Sequence, residues 1–404
     1  MKRFISFICI FCLVLGGAAA LAGTAEALTL ERTLYLNFSD VERQTRTGNP
    51  TIRNNDSTIQ NLNNMFDESI LFALQNSRRM MEGVLDSTVS LLENGLMVNA
   101  PVHDAQLMNM WHAVTGSVNN DILSYQREIR QIDSQMEQFY IAPRVSADRT
   151  VAQLNNVNRQ IIWGAESLYM GYHALSRQLE QSNATLKTLD RNIEVMEFRL
   201  SLGQITWRTL QTVKNNRSAL EQGIKTMESE LENLKGQINV LLGRTHDAPL
   251  HINVLPDLER DFLDSRDRAR DLKSARDNNH LANIAIIDMY DQMRQSGETA
   301  RTQEAIARNN RDNELRSVEL RYENLVKAIN DREAQLSLEE AGLSLLQQAL
   351  AEMELRHRLG RASRLELEQA ENDVFIQTIR VESAEAELFN TIRRYEWLIR
   401  GLSV

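Results

Sequence analysis

Apolar residues recur at alternating spacings of four and three over long stretches of this chain. One such series runs without interruption from Leu220 to Leu241, with Glu, Lys and Gln filling positions between its members. Similar series occupy residues 336–353 and 381–399. This spacing places a narrow apolar stripe on one face of a helix, as in the seam of a coiled coil. The pattern therefore predicts an all-α protein built from long paired helices.

Two of the helical patterns are interrupted by the same short motif. The stretch "HRLGRASRLELEQAEN" at 357–372 matches "FRLSLGQITWRTLQTVKNN" at 198–216, with Gly203 and Thr206 corresponding to Gly360 and Ser363 at a constant offset of 157. Glycine ends a helix by adopting a left-handed conformation, and Ser363 with Glu366 forms a capping box that starts the next helix. Thr206 lacks the matching acidic residue. We expect a helix reversal at each motif.

The two reversals divide the chain into long antiparallel helical hairpins. The first arm is predicted over about 148–201 and returns along 206–243, and the second is predicted over about 300–358 and returns along 363–400. No proline follows Pro256, which is compatible with helix almost to the end of the sequence. At ~1.5 Å per residue each arm is about 60 to 80 Å long, so the protein is expected to be a rod or a wall segment.

A second echo indicates that the two hairpins are tandem repeats. Leu30-Glu31-Arg32 recurs as Leu258-Glu259-Arg260. We predict a first repeat over 28–247 and a second over 248–404. The first includes an additional helical segment at about 57–147, with helices near 57–98 and 103–140 and a loop near "YIAPRVSADRT". The stretch "THDAPLHINVLPD" is expected to be a linker between the repeats.

The first 27 residues have the pattern of a secretory signal peptide. Lys2 and Arg3 precede an apolar run, and a small-residue stretch ends in Ala25-Glu26-Ala27, a pattern favoured by signal peptidase. An uncleaved N-terminal anchor is the alternative. Both cysteines lie within this segment, so the mature chain is expected to be exported and to contain no disulfide or thiolate site.

Charge and motif content argue against nucleic-acid binding and against catalysis. Lys and Arg number 45 against 55 Asp and Glu, for a net charge of −10, and no dense basic block is present. The closest histidine cluster, His246 with Asp247 and His251, is more typical of solvated linker surface than of a metal site. No nucleophile or phosphate-binding motif is found. We predict no enzymatic activity, no catalytic or metal-binding residues and no cofactor.

The repeated hairpins resemble the TolC-type outer-membrane efflux protein family. The phrase "RLGRASRLELEQAEN" is similar to the motif that precedes the last helix of each repeat in that family, and "LTLERTLYL" and "GNP" resemble its repeat opening. The resemblance implies a homotrimer whose six hairpins form an α-helical tunnel. Gly203, Thr206, Gly360 and Ser363 would shape its tip turns.

The same resemblance implies partners and further site residues at the tip. A membrane-fusion adaptor and an inner-membrane transporter would complete an efflux or type I secretion-like assembly in the cell envelope, either periplasmic or outer-membrane associated, or extracytoplasmic in a single-membrane cell. Glu366 would lie near the tunnel constriction or would only complete the capping box. Trp207, in the first turn, is a candidate contact for an adaptor or a lipid headgroup.

One feature departs from that family. Its members insert membrane strands with alternating apolar and polar residues into each repeat, and no such alternating segment is evident here. In the second half, a helix predicted over 260–295 is followed by the helix over 300–358 after only the turn "QSGET" at 295–299. The leading hypothesis is therefore a TolC-like exported conduit or docking component that has the helical hairpins only. The alternative is a non-conducting coiled-coil scaffold of the envelope. A membrane-fusion adaptor is a weaker third hypothesis, because its flanking β-rich domains are not recognised.

Overall fold

The computed structural model describes residues 32–66, 68–96, 105–258, 260–294 and 298–402. The signal peptide predicted for residues 1–27 lies outside the described residues, as do both cysteines and part of the Leu-Glu-Arg echo.

Two long helical hairpins dominate the fold, and they confirm the predicted all-α class. Their four helices are α5 (Ala142–Ser201), α6 (Trp207–Leu241), α9 (Glu298–Arg358) and α10 (Arg364–Ile399). The first pair and the second pair each pack as antiparallel arms, and α10 also packs against α5. The predicted arms agree with these bounds to within a few residues, because glycine and the capping residues end and start helices locally.

Shorter elements precede each hairpin. In the first half these are the strand β1 (Leu34–Leu36) and the helices α1 (Phe38–Gly48), α2 (Pro50–Asn64), α3 (Glu68–Ser90) and α4 (Ala105–Met136). In the second half they are the strand β2 (Leu250–Ile252), a 3₁₀ turn (Phe262–Ser265) and the helices α7 (Arg268–Asp277) and α8 (His280–Arg294).

The return helix of each hairpin ends in the same way against a short helix of its own half. Gly243 and Gly401 follow α6 and α10 with φ of 72° and 90°. The side-chain amide of Asn49 donates to the carbonyl of Leu241 at 2.9 Å. A side-chain amide also donates to the end of the other return helix, from Asn278 to Ile399 at 2.9 Å. Each terminal carbonyl group therefore has a partner at a buried helix end.

Three buried clusters hold the elements together. One is built on Leu36, Tyr169 and Ile238 of the first half and includes Leu250 and Ile252 of β2, and a second lies within the second half around Tyr322 and Tyr395. The third spans the two halves and contains four buried residues from α2, α5, α10 and the end of the chain: Ile52, Ile162, Trp397 and Leu402. Burying apolar area between the halves stabilises them as one packed unit.

The segment expected to be a loop near "YIAPRVSADRT" is helical, so that expectation was wrong. A π-helical turn (Glu137–Ile141) joins α4 directly to α5, and Pro143 occupies the first turn of α5. Pro143 has no N–H to donate within this continuous helix, and it lies just after the π turn, at whose end the N–H of Ala142 donates to Glu137 O and the usual i−4 pattern is interrupted. A single π turn inside a helix accommodates the extra residue.

The expected linker contains a strand, and the helix expected at 260–295 is divided. Leu250, His251 and Ile252 pair in parallel with Leu34, Tyr35 and Leu36. Asn279 separates α7 from α8, and its side-chain oxygen accepts the N–H of Ala282 at 2.8 Å. Asparagine commonly starts helices by this bond. Asn279 therefore divides the segment that the pattern predicted to be one helix.

Candidate functional site at the hairpin turns

The first hairpin reverses through a glycine-centred helix end. The N–H of Gly203 donates to Leu200 O at 2.9 Å, and the N–H of Gln204 donates to Arg199 O at 2.9 Å. This pair of bonds forms a Schellman motif, which requires a left-handed residue. Gly203 has a φ of 71°. No atom lies within 4 Å of the position that a Cβ would take, so glycine is needed for backbone conformation and not for space.

The second hairpin reverses with the same hydrogen bonds. The N–H of Gly360 donates to His357 O at 2.9 Å, and the N–H of Arg361 donates to Arg356 O at 2.8 Å. Gly360 also has a φ of 71° and open space around its Cα. Each of these backbone donors and acceptors corresponds to one in the first turn at the offset of 157. The structure thus contains two copies of one reversal.

The helices that leave the turns start with side-chain caps at Thr206 and Ser363. Thr206 Oγ1 accepts the N–H of Thr209 at 3.3 Å, and Ser363 Oγ accepts the N–H of Glu366 at 3.2 Å. The Glu366 carboxylate in turn accepts the N–H of Ser363 at 2.7 Å, which completes a capping box. That backbone hydrogen bond, together with one from the Ser363 hydroxyl, lowers the pKa of Glu366.

Large apolar side chains are exposed around both turns. Trp207 is 67% exposed, whereas the buried Trp397 is 1% exposed. The other exposed apolar residues near the turns are Phe198, Leu202, Leu355, Leu359 and Leu365. Apolar groups at the end of a rod, without cover from their own chain, are suited to contact with another protein or with a neighbouring copy. The turns of one chain therefore present an apolar end surface.

Ion pairs connect the two hairpins between the turns and the core. Arg177 of α5 lies 2.8 Å from Glu382 of α10, and Arg191 lies 3.4 Å from Glu368. The side chains in these pairs are 30% to 47% exposed, and pairs that are exposed to water contribute little to stability. They connect the two hairpins along the arms without fixing one strongly to the other.

A buried ion pair fixes the hairpins to each other farther from the turns. Glu166 of α5 accepts from Arg393 Nη2 at 2.7 Å and from the indole N–H of Trp397 at 2.7 Å. The Glu166 side chain is only 2% exposed. Burial raises the pKa of the Glu166 carboxyl, and the charge and hydrogen bonds of Arg393 and Trp397 oppose that shift.

This pair was missed at the level of sequence, although a signal for it exists. Glu166 is the single charged residue between Arg159 and Arg177, in a stretch rich in aromatic and apolar side chains. Such an isolated charge is expected to have a buried partner. Its partner, more than two hundred residues away in α10, has no local signature.

The described residues contain no group of three or more His, Cys, Asp and Glu side chains placed to hold a metal ion. His246 Nδ1 pairs with Asp247 at 2.8 Å on an exposed surface. None of the helices in the described part of the chain is long and apolar enough to cross a membrane.

Solved outer-membrane proteins share this architecture. The chain is similar to the outer-membrane channel OprN, with 12% identity, a TM-score of 0.50 and coverage of 95% of this chain and 96% of that one. It also matches the outer-membrane protein VceC from Vibrio cholerae at 12% identity, over 91% and 97% of the two chains, with a TM-score of 0.48. Neither a protein-family model nor a curated protein matches the sequence.

At this level of identity the likeness defines the fold. The chain has the TolC-like fold of long helical hairpins.

Proposed function

We propose that this chain is an exported cell-envelope protein that assembles as a homotrimer and forms an α-helical conduit for efflux or type I secretion. The observation that carries the proposal is the pair of matching reversals at the ends of two hairpins, within a fold similar to that of an outer-membrane channel. Three copies would supply six hairpins. Their equivalent turns would then lie at one end of a tubular wall.

Within that assembly, the turns define the end that opens and docks. Gly203, Thr206, Gly360 and Ser363 set the path of the chain at this end. The exposed Trp207 is a candidate contact for a membrane-fusion adaptor, which in turn would link the conduit to an inner-membrane transporter. Glu366 already has a structural role in the capping box, and its carboxylate is also exposed near the proposed constriction.

The weak ion pairs between the hairpins are compatible with opening. Arg177–Glu382 and Arg191–Glu368 are partly exposed and can be exchanged for water, whereas the buried Glu166–Arg393 pair holds the hairpins together farther from the turns. Splaying of the arms would thus be confined to the end that contains the turns.

The proposal is tested by the mass in solution of the mature protein, residues 28–404, measured by light scattering, together with negative-stain images of the same fraction. A trimer that appears as a hollow ring in end view supports the conduit. A monomeric or dimeric solid rod contradicts it and leaves a non-conducting coiled-coil scaffold as the better account.

A further inference from the structure

A third helical hairpin, formed by α3 and α4, extends from the end opposite the turns. The helix α4, the π turn and α5 form one continuous helical segment from Ala105 to Ser201. The helix α3 pairs with α4, and Arg78 Nε lies 2.7 Å from Asp133 Oδ1 at their base. The main contacts of α3 and α4 are with each other. No residue of α3 is buried.

The far half of this α3–α4 hairpin carries uncovered apolar side chains. They recur at spacings of three, four and seven, so each helix presents one stripe. Exposed fractions range from 44% for Val84 to 74% for Met80. The two stripes consist of Met80, Val84 and Leu91 and of Leu107, Met110 and Val114. Two helices packed only on each other leave such stripes in water, which is unfavourable.

The charge distribution indicates that the two apolar stripes contact protein and not a lipid surface. No Lys or Arg occurs from Met80 to Gln126, and residues 105–120 contain no charged residue at all. Helices that lie on membranes usually carry Lys and Arg on their polar face. The uncharged stretch also includes His112 and Asn119, polar groups that are costly in hydrocarbon and readily satisfied between helices.

We propose that the α3–α4 hairpins of neighbouring copies cover one another and form a second helical bundle at the end opposite the turns. This inference rests on the proposed assembly of several copies. Because α4 and α5 belong to one continuous helix, the α3–α4 hairpins of copies that assemble in parallel lie at the same distance from the turns. The uncharged face of α4 can then meet Asp86 of α3 and Glu93 of the π-helical turn that follows α3 (Leu91–Leu96) in the next copy, without repulsion between like charges.

A small residue permits the close approach that this bundle needs. Gly83 of α3 has no atom within 4 Å of the position that a Cβ would take. It precedes Val84 and lies beside the exposed stripe, so it leaves a shallow notch for a neighbouring helix.

The mature chain has no cysteine, so single introduced cysteines report contacts between copies. Counting from the Arg78–Asp133 pair places Leu91 opposite Asn120, so Ser117 lies about one helical turn from that level. Leu91 and Ser117 are both exposed. Chains with Leu91→Cys are mixed with differently tagged chains with Ser117→Cys, dissociated and reassembled, and then treated with a short bismaleimide. The control mixes Ser117→Cys with Arg43→Cys, whose side chain is 69% exposed on the distant helix α1.

We expect about tenfold more cross-linked product from the first mixture than from the control, and a comparable loss when Met110→Lys and Val114→Lys are added. Light scattering and circular dichroism of each sample report assembly and helix content. An assembled, helical protein whose cross-linking equals the control overturns this inference and leaves the proposed conduit standing. A protein that stays monomeric overturns both.

Flotation with phosphatidylethanolamine and phosphatidylglycerol vesicles tests whether a lipid surface, and not a neighbouring copy, covers the stripes. Binding that is lost on adding Met110→Lys and Val114→Lys, together with cross-linking at the control level, would assign the stripes to lipid and overturn the bundle.

Discussion

Removing the guanidinium of Arg393 tests the buried link between the hairpins. The variant Arg393→Ala leaves Glu166, 2% exposed, with the indole N–H of Trp397 as its remaining donor among the hydrogen bonds described above. Breaking a buried ion pair by removing one partner costs about 3 to 5 kcal/mol, because an uncompensated charge stays in a site of low polarity. We expect a loss of this size in the free energy of unfolding at neutral pH.

Replacing the other partner of the pair, Glu166, is expected to lower the free energy of unfolding by less. In Glu166→Gln, Arg393 keeps its bond to Glu396 and its position 5.2 Å from the centre of the Phe38 ring. The neutral amide also leaves no buried negative charge. The double variant Glu166→Gln with Arg393→Ala should therefore be more stable than Arg393→Ala alone, with a coupling of about 1 to 3 kcal/mol.

The pH dependence has a defined sign. Burial already raises the pKa of Glu166, and loss of the Arg393 charge raises it further. A carboxyl with a higher pKa in the folded state takes up its proton there first, so its favourable contribution is present at low pH and is lost as pH rises through the folded-state pKa. The deficit of Arg393→Ala should thus be smaller at about pH 5 than at neutral pH.

Urea unfolding followed by far-UV circular dichroism and tryptophan fluorescence measures these differences. Arg43→Ala is the matched control, because it removes an exposed arginine from a pair within one helix and should change stability by less than about 0.5 kcal/mol. The argument is refuted if Arg393→Ala is no less stable than this control, or if its deficit grows on acidification.

Three further outcomes are expected. Gly243→Ala should be much more destabilising than Gly203→Ala in urea unfolding: both force a side chain to positive φ, at about 1 to 2 kcal/mol, but the Cβ at 243 would also lie 2.0 Å from the carbonyl oxygen of Gly48. Equal losses would show that the close approach is relieved without cost. Ser363→Ala should cost about 1 kcal/mol through loss of the helix cap, and Ser363→Thr should retain most of it; a neutral alanine variant would contradict the role of the cap. Burial lowers the pKa of His173, so its contribution is present above the unfolded value near 6.5 and is lost as pH falls through the folded-state pKa. The free energy of unfolding measured across that range should depend less on pH in His173→Gln. An unchanged slope of this free energy against pH would show that His173 does not contribute to the pH dependence.

The long arms and the places where they reverse follow from local patterns in the sequence. The apolar stripe of Leu220–Leu241 has a helical period, and Gly203, Gly360 and Ser363 act on the backbone within a few residues of their own position. Such information is local, so it can be predicted from a short stretch of sequence. The bounds of α5, α6, α9 and α10 accordingly lie close to the predicted ones.

Contacts between distant segments are seen in the three-dimensional fold and do not follow from such local patterns. The pairing of β1 with β2 joins residues more than two hundred positions apart, and it converts an expected linker into a strand. The carbonyl of Gly48 sets the need for glycine at 243, and the partner of Glu166 lies in α10. Strand pairing, close backbone approach and burial of a charge depend on which surfaces come into contact, and no short stretch of sequence specifies that.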